Sequence, residues 1–156
     1  MNTVLNPPAA VRDVALLIAR VLLGTVLIAH GGQKFFEWTI AGTTQAFGQM
    51  GVPFPALSAP VAAVIELVGG VLLLAGAFSA IAGLVVALHM GAAAVLAHIP
   101  AGIFIDNGGW ELVGVIAAAA LAVGVAGAGR YSVDALLSRT ASTEGTRARE
   151  RQTVNA

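Results

Sequence analysis

No cysteine occurs anywhere in the 156-residue sequence, and its absence removes several kinds of chemistry at once. A chain without thiols forms no disulfide, performs no thiol redox catalysis and ligates no cysteine-bound metal cluster. Charge is also scarce, because only 10% of the residues are charged and the formal net charge is zero. A neutral chain gives no electrostatic basis for binding nucleic acid, and so little charge cannot cover a water-facing surface. An ordinary soluble domain is therefore excluded.

Long apolar runs take the place of charge. Hydrophobic residues make up 58% of the sequence, and its mean hydropathy is +0.88. A helix of about 20 apolar residues crosses the hydrocarbon core of a membrane, and none of the runs alternates as a transmembrane strand would. We predict an all-α integral membrane protein, a four-helix bundle with spans at residues 14–36, 59–78, 80–98 and 110–128.

The first span has the position of a secretory signal peptide, because Arg12 precedes an apolar run near the N-terminus. Arg20 interrupts that run, however, and no A-x-A-like cleavage site follows it before the motif HGGQKFF. We therefore expect the segment to be retained as a membrane helix.

Lysine and arginine flank the spans unequally, which predicts the orientation of the bundle. Six arginines lie before the first span or after the fourth: Arg12, Arg130, Arg139, Arg147, Arg149 and Arg151. Only Lys34 lies on the opposite side, so both termini are expected in the cytoplasm of a bacterial cell whose cytoplasmic membrane holds the protein. Residues 1–13 would form an N-terminal segment, 14–137 the transmembrane domain and 138–156 a disordered polar tail.

The loops between the predicted spans differ in length. The longer outer loop, between the first two spans, has room for a short interfacial helix from Thr39 to Met50, which Gly51 would end. Three prolines punctuate the return to the membrane: Pro53, Pro55 and Pro60. Only Ser79 separates the second and third spans, which predicts a tight antiparallel hairpin.

Three ionisable residues fall deep inside predicted spans, namely Arg20, Glu66 and His89. A lone charge there costs at least about 2.5 kcal/mol on insertion, so each needs a partner. Counting a rise of about 1.5 Å per residue places all three near the middle of the membrane, where a long arginine side chain can reach Glu66. We expect a buried cluster of the three as the candidate catalytic group, since imidazole and a desolvated carboxyl exchange protons near neutral pH.

A second polar group is expected at the outer boundary of the membrane. The same counting places five residues there: His30, Lys34, His98, Asp106 and Glu111. This outer mouth is the candidate ligand-binding site. Together with the group of Arg20, Glu66 and His89, it suits a proton path or the headgroup of a quinone. No metal site is predicted, because neither His30 nor His98 belongs to a recognised ligand motif.

Structural roles explain the same residues. Arg20 and Glu66 can form an ion pair that fixes the register of two helices, and His89 can be a histidine whose hydrogen bonds are satisfied inside the bundle. Glu111 can be an acid favoured by the dipole of the helix that it opens. The sequence leaves the choice between chemical and structural roles open.

Five motifs in series resemble the DoxX family of small four-helix bacterial membrane proteins. They are HGGQKFF, FGQMGVPFP, ELVGGVLLLAG, HIPAGIFIDNGGWELVG and GAGRYSVDALL, and they cover about residues 14–137. The resemblance implies a four-helix bundle in the cytoplasmic membrane. It also implies association with oxidoreductases, since the family's namesake is a subunit of a thiosulfate:quinone oxidoreductase and some members are linked with a superoxide dismutase and a sulfurtransferase.

The family pattern points to twelve positions of this chain: Arg20, Gly31, Lys34, Gly51, Pro53, Glu66, Gly69, Gly70, Glu111, Gly129, Ser132 and Asp134. The glycines and Pro53 would serve the backbone, and Ser132 or Asp134 would cap a final short helix.

Three functions follow as expectations. The first is a membrane subunit of an oxidoreductase complex that binds a quinone or passes protons, with the lipid bilayer and redox enzymes as its partners. The second is a non-catalytic scaffold that recruits redox enzymes to the membrane. The third is a small-solute transporter, which would require an oligomer because four short helices enclose little space.

Overall fold

The computed structural model describes residues 7–140, and every regular element within them is helical. Helix α1 spans Ala9–Gly32 and continues through a wider π-type turn, Gln33–Glu37. The next helices are α2 (Thr39–Gln49), α3 (Pro55–Ala75), α4 (Ser79–Ala93) and α5 (Glu111–Ala126). A second π-type turn, Ala94–His98, extends α4, and short 3₁₀ turns follow at Ile99–Ala101 and Ile105–Asn107. Residues 133–140 form a further helix, α6.

Among the described residues, three helical stretches are long and apolar enough to cross a membrane. They are Ala9–Glu37, Pro55–Ala75 and Ser79–Ala101, with 29, 21 and 23 residues. The fourth predicted span corresponds to α5, which has only 16 residues. At about 1.5 Å per residue it is about 24 Å long, shorter than the hydrocarbon core of about 30 Å. The predicted all-α membrane bundle is confirmed, and the orientation of its termini stays a prediction.

Two helices begin earlier than predicted, since α1 begins at Ala9 instead of residue 14. Helix α3 begins at Pro55 instead of residue 59, because the first turn of a helix does not need the N–H that proline lacks. Pro60, which the predicted span 59–78 already includes, lies inside the same helix. The tail predicted from residue 138 begins within α6, and its greater part, 141–156, lies outside the described residues together with 1–6.

The loops match the expected pattern. Helix α2 occupies the place predicted for the short outer helix, and Gly51 follows it with a positive φ of 74°. Helices α3 and α4 are separated by residues 76–78 alone, which makes the predicted tight hairpin. Gly76 ends α3 with a φ of 66°, a left-handed conformation that glycine adopts without strain.

The core lies within and between two helix pairs. Helix α1 packs mainly on α3, and α4 packs mainly on α5. The buried apolar residues that fill the centre include Leu27, Leu73, Val86, Met90, Ile116 and Val123. Large apolar side chains also cover the outside of the helices, among them Leu22, Val64, Ile81, Leu88 and Val115. Such a surface suits contact with lipid, because a protein surrounded by water rarely exposes continuous apolar area on this scale.

Glycines allow both helix pairs to approach closely. A Cβ placed on Gly24 of α1 would lie 2.6 Å from the Cβ of Leu74, and one on Gly70 of α3 would lie 2.9 Å from the carbonyl oxygen of Gly24. Between α4 and α5, a Cβ on Gly83 would lie 2.6 Å from the carbonyl oxygen of Ala120. Small residues at such contacts let dispersion forces act between helix backbones in a membrane.

Replacing Gly83 by alanine should therefore destabilise the protein. The added methyl group has no room against α5, and overpacking of this kind costs about 1–3 kcal/mol. Gly91 lies on the same helix, but a Cβ there would meet nothing within 4 Å, so Gly91→Ala is the matched control and should keep or raise the stability. Unfolding of both variants by SDS in mixed micelles measures the difference, and equal stabilities would contradict the close approach of α4 and α5.

Candidate functional site

Glu66 of α3 lies at the centre of a polar cluster to which three helices contribute. Its Oε2 accepts a hydrogen bond of 2.6 Å from Nζ of Lys34, and its Oε1 lies 3.4 Å from Nε2 of His89 on α4. Only 8% of Lys34 and 5% of Glu66 is exposed, while His89 is half-buried. We call Lys34, Glu66 and His89 the buried cluster. Inside a membrane each charge of its ion pair depends on the other, because an unpaired charge is costly there.

The π-type turn at the end of α1 carries Lys34 to this place. Turns of this type bond each carbonyl to the N–H five residues later and are frequent at functional sites. Gly31 precedes the turn and brings α1 onto α3, since a Cβ there would lie 2.5 Å from the backbone nitrogen of Leu67, the residue after Glu66. Close backbone packing therefore brings Lys34 within hydrogen-bonding distance of the carboxylate.

Helix α2 packs beside the same turn. The hydroxyl of Thr43, a residue with 1% exposure, lies 2.9 Å from the carbonyl oxygen of Thr39 and 3.4 Å from that of Lys34. The ring of Trp38 lies 6.0 Å from Nζ of Lys34, at the outer limit of a cation–π contact. The lysine is thus fixed between a carboxylate on α3 and the segment that leads into α2.

Arg20 is not placed beside Glu66, so the predicted contact between them is not formed. Its guanidinium donates instead to the carbonyl oxygens of Ala128, at 2.6 Å, and Tyr131, at 2.8 Å. Lys34, which does contact Glu66, lies 14 positions after Arg20 on the same continuous helix. This separation is about 21 Å along the helix axis, so Arg20 lies far from Glu66. The physical reason is that the chain leaves the helical conformation after α5, and the carbonyl groups freed there need donors. Lys34 therefore occupies the place predicted for Arg20.

Arg20 belongs to a second polar assembly, which we call the terminal junction. It joins Asp13 and Arg20 of α1, residues 76–79 between α3 and α4, and residues 127–134 after α5. The backbone N–H of residue 134 donates to the carbonyl of Gly76 at 3.0 Å, and Asp13 accepts from the backbone N–H of Arg130 at 3.2 Å. A Cβ on Gly76 would collide with the guanidinium of Arg20, so the junction also requires glycine for space.

The carboxylate of Asp134 caps α4, not the helix to which it belongs. Its two oxygens accept hydrogen bonds from the backbone N–H groups of Phe78, at 2.8 Å, and Ser79, at 3.0 Å. The turn between α3 and α4 contains no side chain that could accept these bonds, which is why a distant residue does so. Ser132 caps α6 as predicted, because its Oγ accepts from the N–H of Ala135 at 3.2 Å.

The cap makes stability depend on pH in a predictable direction. Partial burial raises the pKa of Asp134, but the N–H groups of Ser79 and Phe78, together with Arg20, outweigh burial and hold that pKa below its ordinary value. The ionised carboxylate therefore adds stability above the unfolded-state pKa, about 3.9, and this stability is lost as the pH falls through the lower folded-state pKa.

We expect Asp134→Asn to be less stable than the natural protein by a constant amount at neutral pH, and this difference to shrink below about pH 4. Other carboxylates titrate equally in both proteins, so the difference isolates Asp134. Asp106→Asn, an exposed carboxylate of the loop before α5, is the control. SDS unfolding measured from neutral to acid pH tests the prediction, which fails if the difference grows towards low pH.

The five residues of the predicted outer mouth are not brought together as one site. Nδ1 of His98 lies 2.7 Å from the carbonyl oxygen of Gly108, and Glu111 accepts from the backbone N–H of Ile105 at 2.6 Å. Both contacts hold the loop between α4 and α5 in shape. Lys34 belongs to the buried cluster, Asp106 is exposed, and within residues 7–140 the side chain of His30 forms no hydrogen bond or ion pair.

A metal ion has no prepared set of ligands in the part of the chain that the structure describes. No three histidine, aspartate or glutamate side chains among residues 7–140 lie close enough together to share one. The buried cluster combines one carboxylate, one ammonium and one imidazole, a set suited to holding and moving a proton.

The helices and the buried cluster define a small multi-pass membrane protein with a charged centre. The DoxX family matches residues 15–99, more than half of the sequence, and the chain belongs to that family. It is 38% identical over 78 residues to a protein of Bacillus subtilis (strain 168) named "Putative oxidoreductase CatD". The match covers 50% of this chain and 55% of the relative, so it spans about half the length of each. No solved structure matches the chain.

Proposed function

We propose that the protein is a membrane subunit of an oxidoreductase system in the bacterial cytoplasmic membrane, and that the buried cluster handles a proton there. The observation that carries the proposal is the carboxylate of Glu66, held between an ammonium and an imidazole inside the bundle. The name of the Bacillus subtilis relative supports a redox setting. Membership of the DoxX family supports the membrane setting.

A quinone is the redox partner that the cluster fits best. Reduction of a quinone takes up two electrons and two protons, and the headgroup moves within the membrane. His89 supplies the group that a quinone carbonyl requires, since 15% of its side chain is exposed and imidazole gains or loses a proton near neutral pH. The two electrons would come from a partner redox protein, because this chain has no cysteine for thiol chemistry and no clustered metal ligands among residues 7–140.

Each residue of the cluster has a separate part in this scheme. Glu66 orients the His89 ring through Nε2, as carboxylates do for catalytic histidines. Nδ1 is left to exchange the proton with the ligand. Lys34 balances the charge of Glu66 on its other oxygen, so that the group holding the His89 ring is not an isolated charge inside the membrane.

The same ion pair is compatible with a non-catalytic scaffold. A contact of 2.6 Å between Lys34 and Glu66 also holds α1 against α3, and buried pairs of this kind can fix the arrangement of helices without chemistry. In that case Glu66 would matter for the assembly of partner enzymes and not for quinone binding.

Quenching of tryptophan fluorescence by menadione, a small naphthoquinone, tests the redox proposal. The chain has two tryptophans, and Trp110→Phe leaves Trp38, beside Lys34, as the only reporter. In lipid nanodiscs we expect saturable quenching of this variant. Adding Glu66→Gln should weaken the affinity for menadione about tenfold, because His89 loses its charged partner. Glu37→Gln is the matched control. Glu37 is an exposed carboxylate in the same π-type turn as Lys34, and its replacement should leave the affinity for menadione unchanged.

Equal menadione affinities for the Glu66 and Glu37 variants would overturn the quinone role. If Glu66→Gln keeps its menadione affinity but loses the enzymes that accompany the natural protein from its native membrane, the scaffold is the correct function. If Glu66→Gln keeps both its menadione affinity and the accompanying enzymes, Glu66 has neither a quinone role nor a scaffold role.

A further inference from the structure

A shallow groove opens beside the terminal junction, at the opposite end of the bundle from the buried cluster. Its volume is about 440 Å³, within the range of roughly 300–1,000 Å³ that small-molecule pockets occupy. One part of its lining is apolar and comes from Ala75, Val133 and Leu136. The other part comes from Arg130, Tyr131 and Arg139. A groove with these two halves suits a ligand that has an anionic head and an apolar body.

Arg130 is held in place for binding an anion. Its backbone N–H donates to Asp13, and its guanidinium lies over the ring of Tyr131, 5.3 Å from the centroid. The residue is exposed, and no carboxylate within residues 7–140 forms an ion pair with its side chain. Arginine recognises phosphate through two parallel hydrogen bonds, so this guanidinium offers a ready donor pair.

The carboxylates near the groove do not cancel this charge. Asp134 accepts hydrogen bonds from the backbone N–H groups at the start of α4, and Asp13 accepts one from the backbone N–H of Arg130. Among residues 7–140 this end of the bundle has two aspartates and four arginines: Arg12, Arg20, Arg130 and Arg139. The opposite end has one lysine and four carboxylates: Glu37, Glu66, Asp106 and Glu111. An anion is therefore favoured at the terminal junction and disfavoured at the other end.

The position of the groove identifies the kind of anion. Ala75 is the last residue of the membrane helix α3, so the groove lies where the apolar part of the bundle ends. At that level a membrane presents phosphate groups with acyl chains directly beneath them, and basic pockets there bind anionic lipid headgroups. We propose that the groove is a binding site for one anionic phospholipid, whose phosphate lies against Arg130 and whose acyl chain lies along Val133 and Leu136.

Native mass spectrometry of the full chain in detergent tests the proposal with added phosphatidylglycerol. One tightly bound molecule is expected, with phosphatidylcholine binding much more weakly. Arg130→Gln should weaken phosphatidylglycerol binding about tenfold through loss of a charge-assisted bidentate contact. Arg12→Gln removes an exposed arginine from the same end without altering the groove lining, and it should leave binding within about twofold.

Two further comparisons separate a lipid from a soluble phosphate ester and from general charge attraction. Leu136→Ser keeps every arginine and should still weaken phosphatidylglycerol binding, because it removes part of the wall for the acyl chain. Glycerol 3-phosphate should fail to displace the lipid at equal concentration. Equal losses for Arg130→Gln and Arg12→Gln, displacement by glycerol 3-phosphate, or no effect of Leu136→Ser would each overturn the proposal.

Discussion

Replacing Lys34 by methionine should be among the most damaging single substitutions in this protein. Methionine fills a similar volume but leaves the carboxylate of Glu66 without the ammonium that lies 2.6 Å away. Removing one partner of a buried ion pair costs about 3–5 kcal/mol, because the remaining charge is uncompensated. The half-buried His89 compensates for this loss only in part, because its Nε2 lies further from the carboxylate of Glu66, at 3.4 Å. Unfolding by SDS should show the loss directly.

The double variant Lys34→Met/Glu66→Met is the control for this prediction. It removes both charges, and replacing a buried pair by apolar side chains of similar volume is often neutral or stabilising. We therefore expect it to recover most of the stability that Lys34→Met loses. A double variant as unstable as the single one would show that the lysine acts through its packing, and not through the charge of Glu66.

Replacing Arg20 by methionine should open the other end of the bundle. The guanidinium, 1% exposed, donates to two carbonyl groups that follow α5, and hydrogen bonds from a charged donor contribute about 1.5–3 kcal/mol each. We expect a loss of about 3 kcal/mol or more, and faster hydrogen exchange in residues 127–134 than around Glu66. The variant thus distinguishes the two polar assemblies, because the buried cluster keeps all of its members.

Arg12→Met is the matched substitution on the same helix. Arg12 is exposed and does not belong to the junction, so its loss should change stability by less than about 0.5 kcal/mol. Unchanged exchange in residues 127–134 after Arg20→Met would contradict the role assigned to the guanidinium.

The membrane helices were predictable because apolar length is a property of the sequence alone. Runs such as 59–78 and 80–98 contain almost no polar residue, and a membrane helix has to satisfy its backbone internally. The ends were less predictable. The predicted loop includes Pro55, although proline is tolerated at the start of a helix, and α3 begins at this residue.

The partner of Glu66 was not predictable by counting depth along straight helices. Lys34 follows Gly24, Leu27 and Gly31 on one strip of α1, and all four are buried against neighbouring helices. That strip was visible in the sequence and was the available signal. Depth counting nevertheless assigned Lys34 to the outer boundary, because it did not include the reach of the lysine side chain back towards Glu66.

The contacts of Arg20 and Asp134 depend on tertiary structure that no local pattern carries. Arg20 binds carbonyl groups more than 100 positions away, and Asp134 caps a helix that begins 55 residues earlier. Nothing in the spacing of these residues indicates either partner. Ser132, in contrast, caps the helix that directly follows it, and it is one of the two residues, with Asp134, that the local sequence offers for this cap.

The cap that Asp134 provides has a consequence for the order in which the protein is completed during synthesis. Helices α3 and α4 leave the ribosome before Asp134 has been translated, so the first turn of α4 is made with two N–H groups that have no side-chain acceptor. Those groups gain their partner only when the segment after α5 folds back onto the hairpin. A residue translated late therefore completes the start of an earlier helix, and a chain interrupted before residue 134 would leave these two N–H groups of α4 without a side-chain acceptor.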